Sequence, residues 1–245
     1  MVDKNHKPLA GKRVVVTRAL EQSQSLVDAL RAAGAEPVLL PLVAFASPDS
    51  SVDLDACLRN SARFDWVFFT SQNALRAVQQ RCAELELPLE KAFAGVKIAT
   101  VGPATAEAVT AGGLTVNFIS KIHTGVALAQ ELSAEAKNKR VLLPRSDRAN
   151  PDLIEVLNLR GWQVTPVVAY KTVSPNSDSP GEVESLLGRD ADAILFFSPS
   201  AVHHLRDLLG SDRLRELSHR MTFLAIGASA HFRLSLPAEL SWSIF

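Results

Sequence analysis

Short apolar, β-branched runs alternate along this chain with stretches of helical periodicity. Val14 to Thr17 is followed, after Arg18, by a helical pattern from about Glu21 to Ala33 with Leu26, Ala29 and Leu30 on one face, and Gly34 stops it. Glu36 to Leu40 then reads as a second strand, ended by Pro41. Strand, helix, strand is the βαβ unit, which needs a parallel sheet and a right-handed crossover. The same order returns as Trp66 to Thr70, Asn73 to Leu85 and Val96 to Val101, and again as Ala193 to Phe197, Ala201 to Leu209 and Thr222 to Ile226. These strands are almost continuously apolar, which predicts burial on both faces. The expected fold class is therefore α/β, with doubly wound parallel sheets.

The pattern also repeats at a fixed distance. Lys12-Arg13-Val14-Val15-Val16-Thr17-Arg18 is answered 127 residues later by Lys139-Arg140-Val141-Leu142-Leu143-Pro144-Arg145, and Gly34 by Gly161. Ser47-Pro48 returns as Ser174-Pro175, and Asp65-Trp66-Val67-Phe68-Phe69-Thr70-Ser71 as Asp192-Ala193-Ile194-Leu195-Phe196-Phe197-Ser198, at the same 127. The offset slips to 125 only at Val101-Gly102 against Ile226-Gly227. A duplicated unit of this length predicts two like lobes and a shared cleft.

The repeats are not laid end to end as domains. The two most turn-rich stretches, Phe45 to Asp53 and Val173 to Gly181, fall in the middle of each repeat. The junction between repeats, Thr124 to Lys137, instead reads as an amphipathic helix capped by Thr124, with Val126, Ala129, Leu132 and Ala136 inward. The layout expected is a discontinuous lobe of residues 1–41 and 175–245, a continuous lobe of 48–167, and a connector of 42–47 and 168–174. Leu39 to Val43 and Val167 to Lys171 occupy equivalent positions and could lie side by side as a two-stranded connector.

Composition narrows the function classes. Of 245 residues, 47% are apolar and 21% charged, a globular balance, and the formal net charge is zero. Without a Lys/Arg run there is no electrostatic case for nucleic acid or a membrane surface, so an anionic ligand must be met locally. Cys57 and Cys82 lie in helical patterns without metal-ligand spacing and read as buried free thiols. No signal-like segment and no apolar stretch approaching 18 residues occurs. A cytoplasmic monomer acting on a small molecule is the simplest expectation.

In open parallel sheets ligands bind outside the carboxyl ends of the strands, where loops lead into helix N-termini. Thr70-Ser71, Gly102-Pro103-Ala104-Thr105, Ser198-Pro199-Ser200 and Gly227-Ala228-Ser229 all fall there, combining hydroxyls with free backbone N–H groups suited to anions. Each is equally readable as a plain helix cap, worth about 1 kcal/mol. Arg18 and Arg145, at strand ends, could pair with carboxylates or sit on a solvated rim. Tyr170, the single tyrosine, is either a half-buried strand-end aromatic or a cleft residue. His203 and His204 suggest a helix surface, since no Cys/His/Asp set surrounds them for a metal. GxGxxG, GxxxxGK[ST], GxSxG and HExxH are all absent.

Val16-Thr17-Arg18, Phe69-Thr70-Ser71, Val101-Gly102-Pro103-Ala104-Thr105-Ala106, Ala169-Tyr170-Lys171-Thr172-Val173, Phe196-Phe197-Ser198-Pro199-Ser200 and Ala225-Ile226-Gly227, in this order and spacing, resemble uroporphyrinogen-III synthases over nearly the whole chain. The resemblance implies two α/β lobes joined by a two-stranded connector and an enzyme that cyclises hydroxymethylbilane to uroporphyrinogen III, losing water and inverting ring D. It implies no metal and no organic cofactor. The linear tetrapyrrole carries eight carboxylates, which suits helix N-termini in an uncharged protein. By this resemblance Arg18, Thr70, Ser71, Gly102, Thr105, Arg145, Ser198, Ser200, Gly227 and Ser229 are substrate contacts, and Tyr170 is a weak general acid. One departure stands at Ala228-Ser229-Ala230, where the family pattern has Pro and two hydroxyl residues. The counterpart of the Thr124 to Lys137 helix would begin near residue 249, so the second copy is expected to end early and leave Trp242, Ile244 and Phe245 exposed. A two-lobed small-molecule sensor and an inactive relative of the family are the alternatives.

Overall fold

A computed structural model of the chain describes residues 7–132, 137–175, 180–188 and 191–226, together with the backbone of 242–244. The first strand, β1 (Arg13–Val16), leads through α1 (Gln24–Ala32) into β2 (Glu36–Leu39). Then come β3 (Ala44–Ala46), α2 (Val52–Arg59), β4 (Trp66–Phe69), α3 (Gln72–Glu84), α4 (Leu89–Ala92), β5 (Lys97–Thr100), α5 (Pro103–Ala111) and β6 (Phe118–Ile119). They are followed by α6 (Gly125–Glu131), β7 (Arg140–Ser146), α7 (Asp152–Leu159) and β8 (Gln163–Val173). The last described elements are α8 (Pro180–Leu187), β9 (Ala193–Phe196), α9 (Pro199–Leu209), α10 (Ser211–Arg220), β10 (Thr222–Ala225) and β11 (Trp242–Ile244).

The chain divides into two compact units, one of Met1–Ala44 with Val173–Phe245 and one of Phe45–Thr172. We call them the split unit and the central unit. The fold is α/β with parallel sheets, and the break within each repeat is why one unit is made of two chain segments.

In the central unit six strands lie in the order β3-β8-β7-β4-β5-β6, with the pairs β8-β7, β7-β4, β4-β5 and β5-β6 parallel. Side chains alternate across a strand, and here both faces are apolar. Val67 and Phe69 of β4 pack with α2, α3 and α5 through Leu54, Leu58, Leu75, Val78 and Val109. Trp66 and Phe68 point to the other face, against Leu128 and Ala129 of α6 and Leu157 of α7. Helices therefore cover both sides, as double winding requires.

The split unit has the order β11-β10-β9-β1-β2, with every neighbouring pair parallel. Val14, Val16 and Leu195 pack with Leu30 of α1. Phe196 and Phe223 stack across β9 and β10 at 5.5 Å.

Apart from β3, which has no counterpart in the five-stranded sheet, the two sheets are equivalent strand for strand, including register. Val14 stands opposite Ala193 in one and Val141 opposite Trp66 in the other, and Arg13 opposite Glu36 answers Arg140 opposite Gln163. Each central pairing thus joins a strand from the first repeat to one from the second. An aspartate clamps each junction. Asp192 accepts from Lys12 Nζ at 2.7 Å and from the Arg13 backbone N–H at 2.8 Å. Asp65 accepts from Lys139 Nζ at 3.1 Å and from the Arg140 N–H at 2.8 Å.

Several local expectations are adjusted. β3 and the end of β8 take the first residues of both turn-rich stretches into the six-stranded sheet. The division between units falls at Ala44/Phe45 and Thr172/Val173. α6 starts on the Thr124 cap as expected, with Ala129 and Leu132 buried; Ala127 and Leu128 are buried beside them, and Val126 is only partly so. Ala136 lies outside the described residues. β11 takes the place next to β10 that β6 takes next to β5, so the second copy reaches its outer strand. The side chains of Trp242, Ile244 and Phe245 lie outside the described residues. Gly34 needs its φ of +93°, and a Cβ there would meet Lys7 Cβ at 2.8 Å.

Asp65 and Asp192 both have pKa values held below the ordinary 3.8, Asp65 first by the Arg140 N–H and Asp192 first by the Lys12 ammonium. A lowered carboxylate pKa means stabilisation that is present above pH 3.8 and lost as pH falls through the folded value. Asp65→Asn and Asp192→Asn should therefore each lower the melting temperature at pH 7, and the deficit should shrink as pH falls below 3.8 and through the lowered folded value. Thermal melts across that range check this, and a deficit constant with pH would contradict it.

Candidate active site at the carboxyl ends of the sheets

A doubly wound sheet offers a crevice where successive connections leave in opposite directions. In the central unit the chain runs from β4 outward to β5 and β6, whereas β7 pairs on the other side of β4 and runs outward to β8. The switch lies between β4 and β7. In the split unit it lies between β9 and β1. Sequence-predicted residues gather at both places: Thr70-Ser71 after β4 with Arg145 near the end of β7, and Ser198 after β9 with Thr17-Arg18 after β1.

The central-unit site is the more elaborate. Ser71 caps α3, its Oγ accepting from the Ala74 N–H at 3.1 Å. The same Oγ lies 3.3 Å from the hydroxyl of Tyr170 on β8. The Tyr170 ring is held edge-on by Phe45 of β3, centroids 5.6 Å apart. Burial is the main reason the Tyr170 pKa is raised; the bond to Ser71 and the charge of Arg145 oppose it, and the charge of Asp147 adds to it. Tyr170 is therefore protonated at neutral pH. Thr70, half-buried, precedes the cap.

Around this pair the β7 end is tightly organised. Arg145 donates to the carbonyls of Ala149 and Asn150, so its guanidinium serves the loop rather than a solvated rim. Burial lowers its pKa, with the Tyr170 charge opposing. Burial would raise the Asp147 pKa too, but the Thr172 N–H and the Ser146 hydroxyl, which its carboxylate accepts, leave it lowered, with Arg148 adding to that. A register irregularity between Arg145 and Ser146 sets this turn, bringing Ser146 opposite Tyr170.

α5 opens beside α3. Its N-cap is Gly102, extended and buried, followed by Pro103 at the first position. Thr105, expected among the cap hydroxyls, is instead buried in the first turn of α5 at 6% exposure. Gln72 Nε2 donates to the Ala104 carbonyl at 2.8 Å and ties the two helix starts together. The His123 ring covers Gly102 so closely that an added Cβ would stand 3.2 Å from its Cγ.

In the split unit Ser198 caps α9 through Ala201 N–H at 3.4 Å, with Pro199 at the first helical position and Ser200 half-buried after it. The Arg18 guanidinium lies over the Phe197 ring at 5.4 Å and donates to Gln22 Oε1 at 3.0 Å. Buried Thr17 fastens the turn by donating to the Leu195 carbonyl at 2.7 Å. Gly227 and Ser229 lie outside the described residues. His203 and His204 are half-buried rather than on a solvated surface, and His203 Nδ1 is buried without a hydrogen-bond partner. Cys57 and Cys82 are buried free thiols, and burial pushes the Cys82 pKa up to about 11. Among the described residues no group of three His, Cys, Asp or Glu could hold a metal, and no helix is long and apolar enough to cross a membrane.

Residues 24–234 match the family described as HEM4, uroporphyrinogen-III synthase HemD. The chain belongs to the uroporphyrinogen-III synthase family. Among similar proteins, uroporphyrinogen-III synthase of Synechococcus elongatus is 30% identical over 225 residues, covering 91% of this chain and 84% of its own. That of Chlorobaculum parvum is 23% identical over 220 residues, covering 89% and 86%. Solved uroporphyrinogen III synthases share the fold. A Thermus thermophilus variant has a TM-score of 0.61 at 22% identity, covering 88% of this chain and 85% of that one, and the Helicobacter pylori protein 0.61 at 17%, covering 88% and 84%. Membership makes this chain an enzyme of porphyrin and haem biosynthesis.

Sequence reasoning missed His123, Gln72, Phe45 and the Asp147 cluster. None carries a motif; Phe45 and His123 come from a strand and a loop distant in the chain, whereas Gln72 adjoins Ser71 and Asp147 follows Arg145 by two. The cap geometry yields a direct test. Ser71→Ala should cost about 1 kcal/mol of unfolding free energy, and Ser198→Ala less because its bond is longer; equal losses in denaturant titrations would contradict the ranking.

Proposed function

We infer that this enzyme closes hydroxymethylbilane to uroporphyrinogen III, with loss of water and inversion of ring D, as a cytoplasmic monomer that needs no metal or organic cofactor. The observation that carries this reading is the Ser71–Tyr170 pair at the switch point of the central unit. A pyrrole nitrogen expels the terminal hydroxyl as water, leaving an azafulvene, and that step needs only one proton from a weak acid. Tyr170, protonated and held by Phe45, suits the supply of that proton.

The harder part is regiochemical. The substituted carbon of ring D must attack to give a spiro intermediate, which fragments and recloses inverted. Holding the rings is the main catalytic device for that, since positioning alone can supply several kcal/mol of a barrier. Eight carboxylates supply the handles. We assign them to Thr70 and the Ser71 and Gly102 backbones in the central unit, and to Arg18, Ser198, Ser200, Gly227 and Ser229 in the split unit. Helix N-termini at Ser71, Gly102 and Ser198 suit anions in a chain without net charge. Arg145 and Thr105 act behind these contacts, Arg145 by ordering the β7 loop and Thr105 from within α5.

Supplying hydroxymethylbilane and separating the isomers tests the reading. Uroporphyrinogen III should predominate, and uroporphyrinogen I alone, the spontaneous product, would overturn it. Tyr170→Phe should lower kcat by about 10-fold or more while the isomer formed stays III; unchanged turnover would remove Tyr170 from the mechanism.

A further inference from the structure

The hydrogen-bond valences around Ser71 go one step further than the reading above, on which this inference rests. A serine hydroxyl has one proton to donate and two lone pairs to accept with. The Ala74 N–H, 3.1 Å away, fills one lone pair as the cap of α3. The Tyr170 hydroxyl stands 3.3 Å away. The distance permits either oxygen to donate, and chemistry chooses between them. A phenol is the stronger acid, and its oxygen, conjugated with the ring, is the poorer acceptor. Tyr170 therefore donates and Ser71 accepts, which fills both serine lone pairs and leaves the Ser71 proton as the pair's uncommitted donor.

We propose that Ser71, not Tyr170, is the group that touches the departing hydroxyl of the substrate, and that Tyr170 is a positioning residue that holds the serine rotamer and replenishes its proton. Ser71 and Tyr170 are both half-buried, and it is the Tyr170 ring that packs against the core and Phe45. Two accepted hydrogen bonds polarise the serine O–H outward. The proton balance closes within the reaction. Ser71 Oγ gives its proton to the hydroxyl, which leaves as water with the carbon–oxygen electron pair, and takes the Tyr170 proton in its place. When ring D has bonded and regains its aromaticity, the proton lost from its carbon returns through Ser71 to the Tyr170 oxygen. The repeat underlines the specialisation: Ser198 is the counterpart of Ser71, but the counterpart of Tyr170 is Val43, so the split unit has the cap without the relay.

A double-mutant cycle on the full chain tests this, with kcat, KM and product isomer measured for Ser71→Ala, Tyr170→Phe and the double variant, and a thermal melt for each. Both single variants should lose about 10- to 100-fold in kcat with little change in KM, and the double variant should fall no more than about 2-fold below the worse single one. Ser71→Thr, which keeps hydroxyl and cap, should recover most of the loss. Multiplicative losses, or a kcat for Ser71→Ala within 2-fold of the wild type, would overturn the relay. An effect owed only to the lost cap would appear in the melt of Ser71→Ala and leave its kcat, measured well below the melting temperature, within 2-fold of the wild type, which overturns the relay. Failure of the functional reading itself is distinct, because the wild-type chain would then give uroporphyrinogen I alone.

Discussion

Parallel strands cannot be joined by a tight turn, so each must find its partner across a crossover, and in this chain the decisive partners come from different repeats. β1 pairs with β9 and β7 with β4, in the same register relative to the duplication. Neither half-repeat has enough strands for a sheet with two covered faces. Pairing across the repeats supplies them, and it places the carboxyl ends of four strands side by side in each unit. The aspartates at 65 and 192 hold those seams, each reaching a Lys side chain and an Arg backbone N–H of the neighbouring strand. Everything at the candidate site inherits its position from these two seams.

The switch points show how one duplicated plan was used twice with different outcomes. Arg18 and Arg145 are counterparts at the ends of β1 and β7, yet Arg18 lies over Phe197 while Arg145 binds the carbonyls of its own loop. Phe197 has Thr70 as its counterpart, so the ring that Arg18 covers does not exist in the central unit. Tyr170 against Val43 is the other difference. The Ser71–Tyr170 pair in the central unit and a cation over an aromatic face in the split unit are what distinguish the two switch points.

The strands behind Ser71 form a closely packed frame. Val67, Phe69 and Ile98 on one face and Trp66, Phe68 and Ala99 on the other are almost wholly buried, so β4 and β5 are packed from both sides. Ser71 follows directly from this rigid strand, and Gln72 fixes α3 to the start of α5. Preorganised donors of this kind need little rearrangement when charge develops in a bound substrate. A chain without net charge relies on such local donors, since its overall field cannot concentrate an anion.

Strand and helix periods, the 127-residue repeat and the midway breaks were legible in the residues alone, because they depend on local burial and turn chemistry. So were the α/β class and the caps at Ser71 and Ser198, where a hydroxyl follows an apolar strand and precedes a helical pattern. Partnerships were not legible. Nothing in the spacing announces that Tyr170 reaches Ser71, that His123 covers Gly102, or that Arg145 is committed to Ala149 and Asn150. Thr105 looked like a cap hydroxyl, and only the helix phase, starting at Pro103, turned it inward. Sequence determined which residues stand at strand ends, because period and polarity are properties of neighbours. Tertiary structure decided which of them meet, because parallel pairing across repeats joins residues about a hundred positions apart, and hydrogen bonding is set by ångströms rather than by order along the chain.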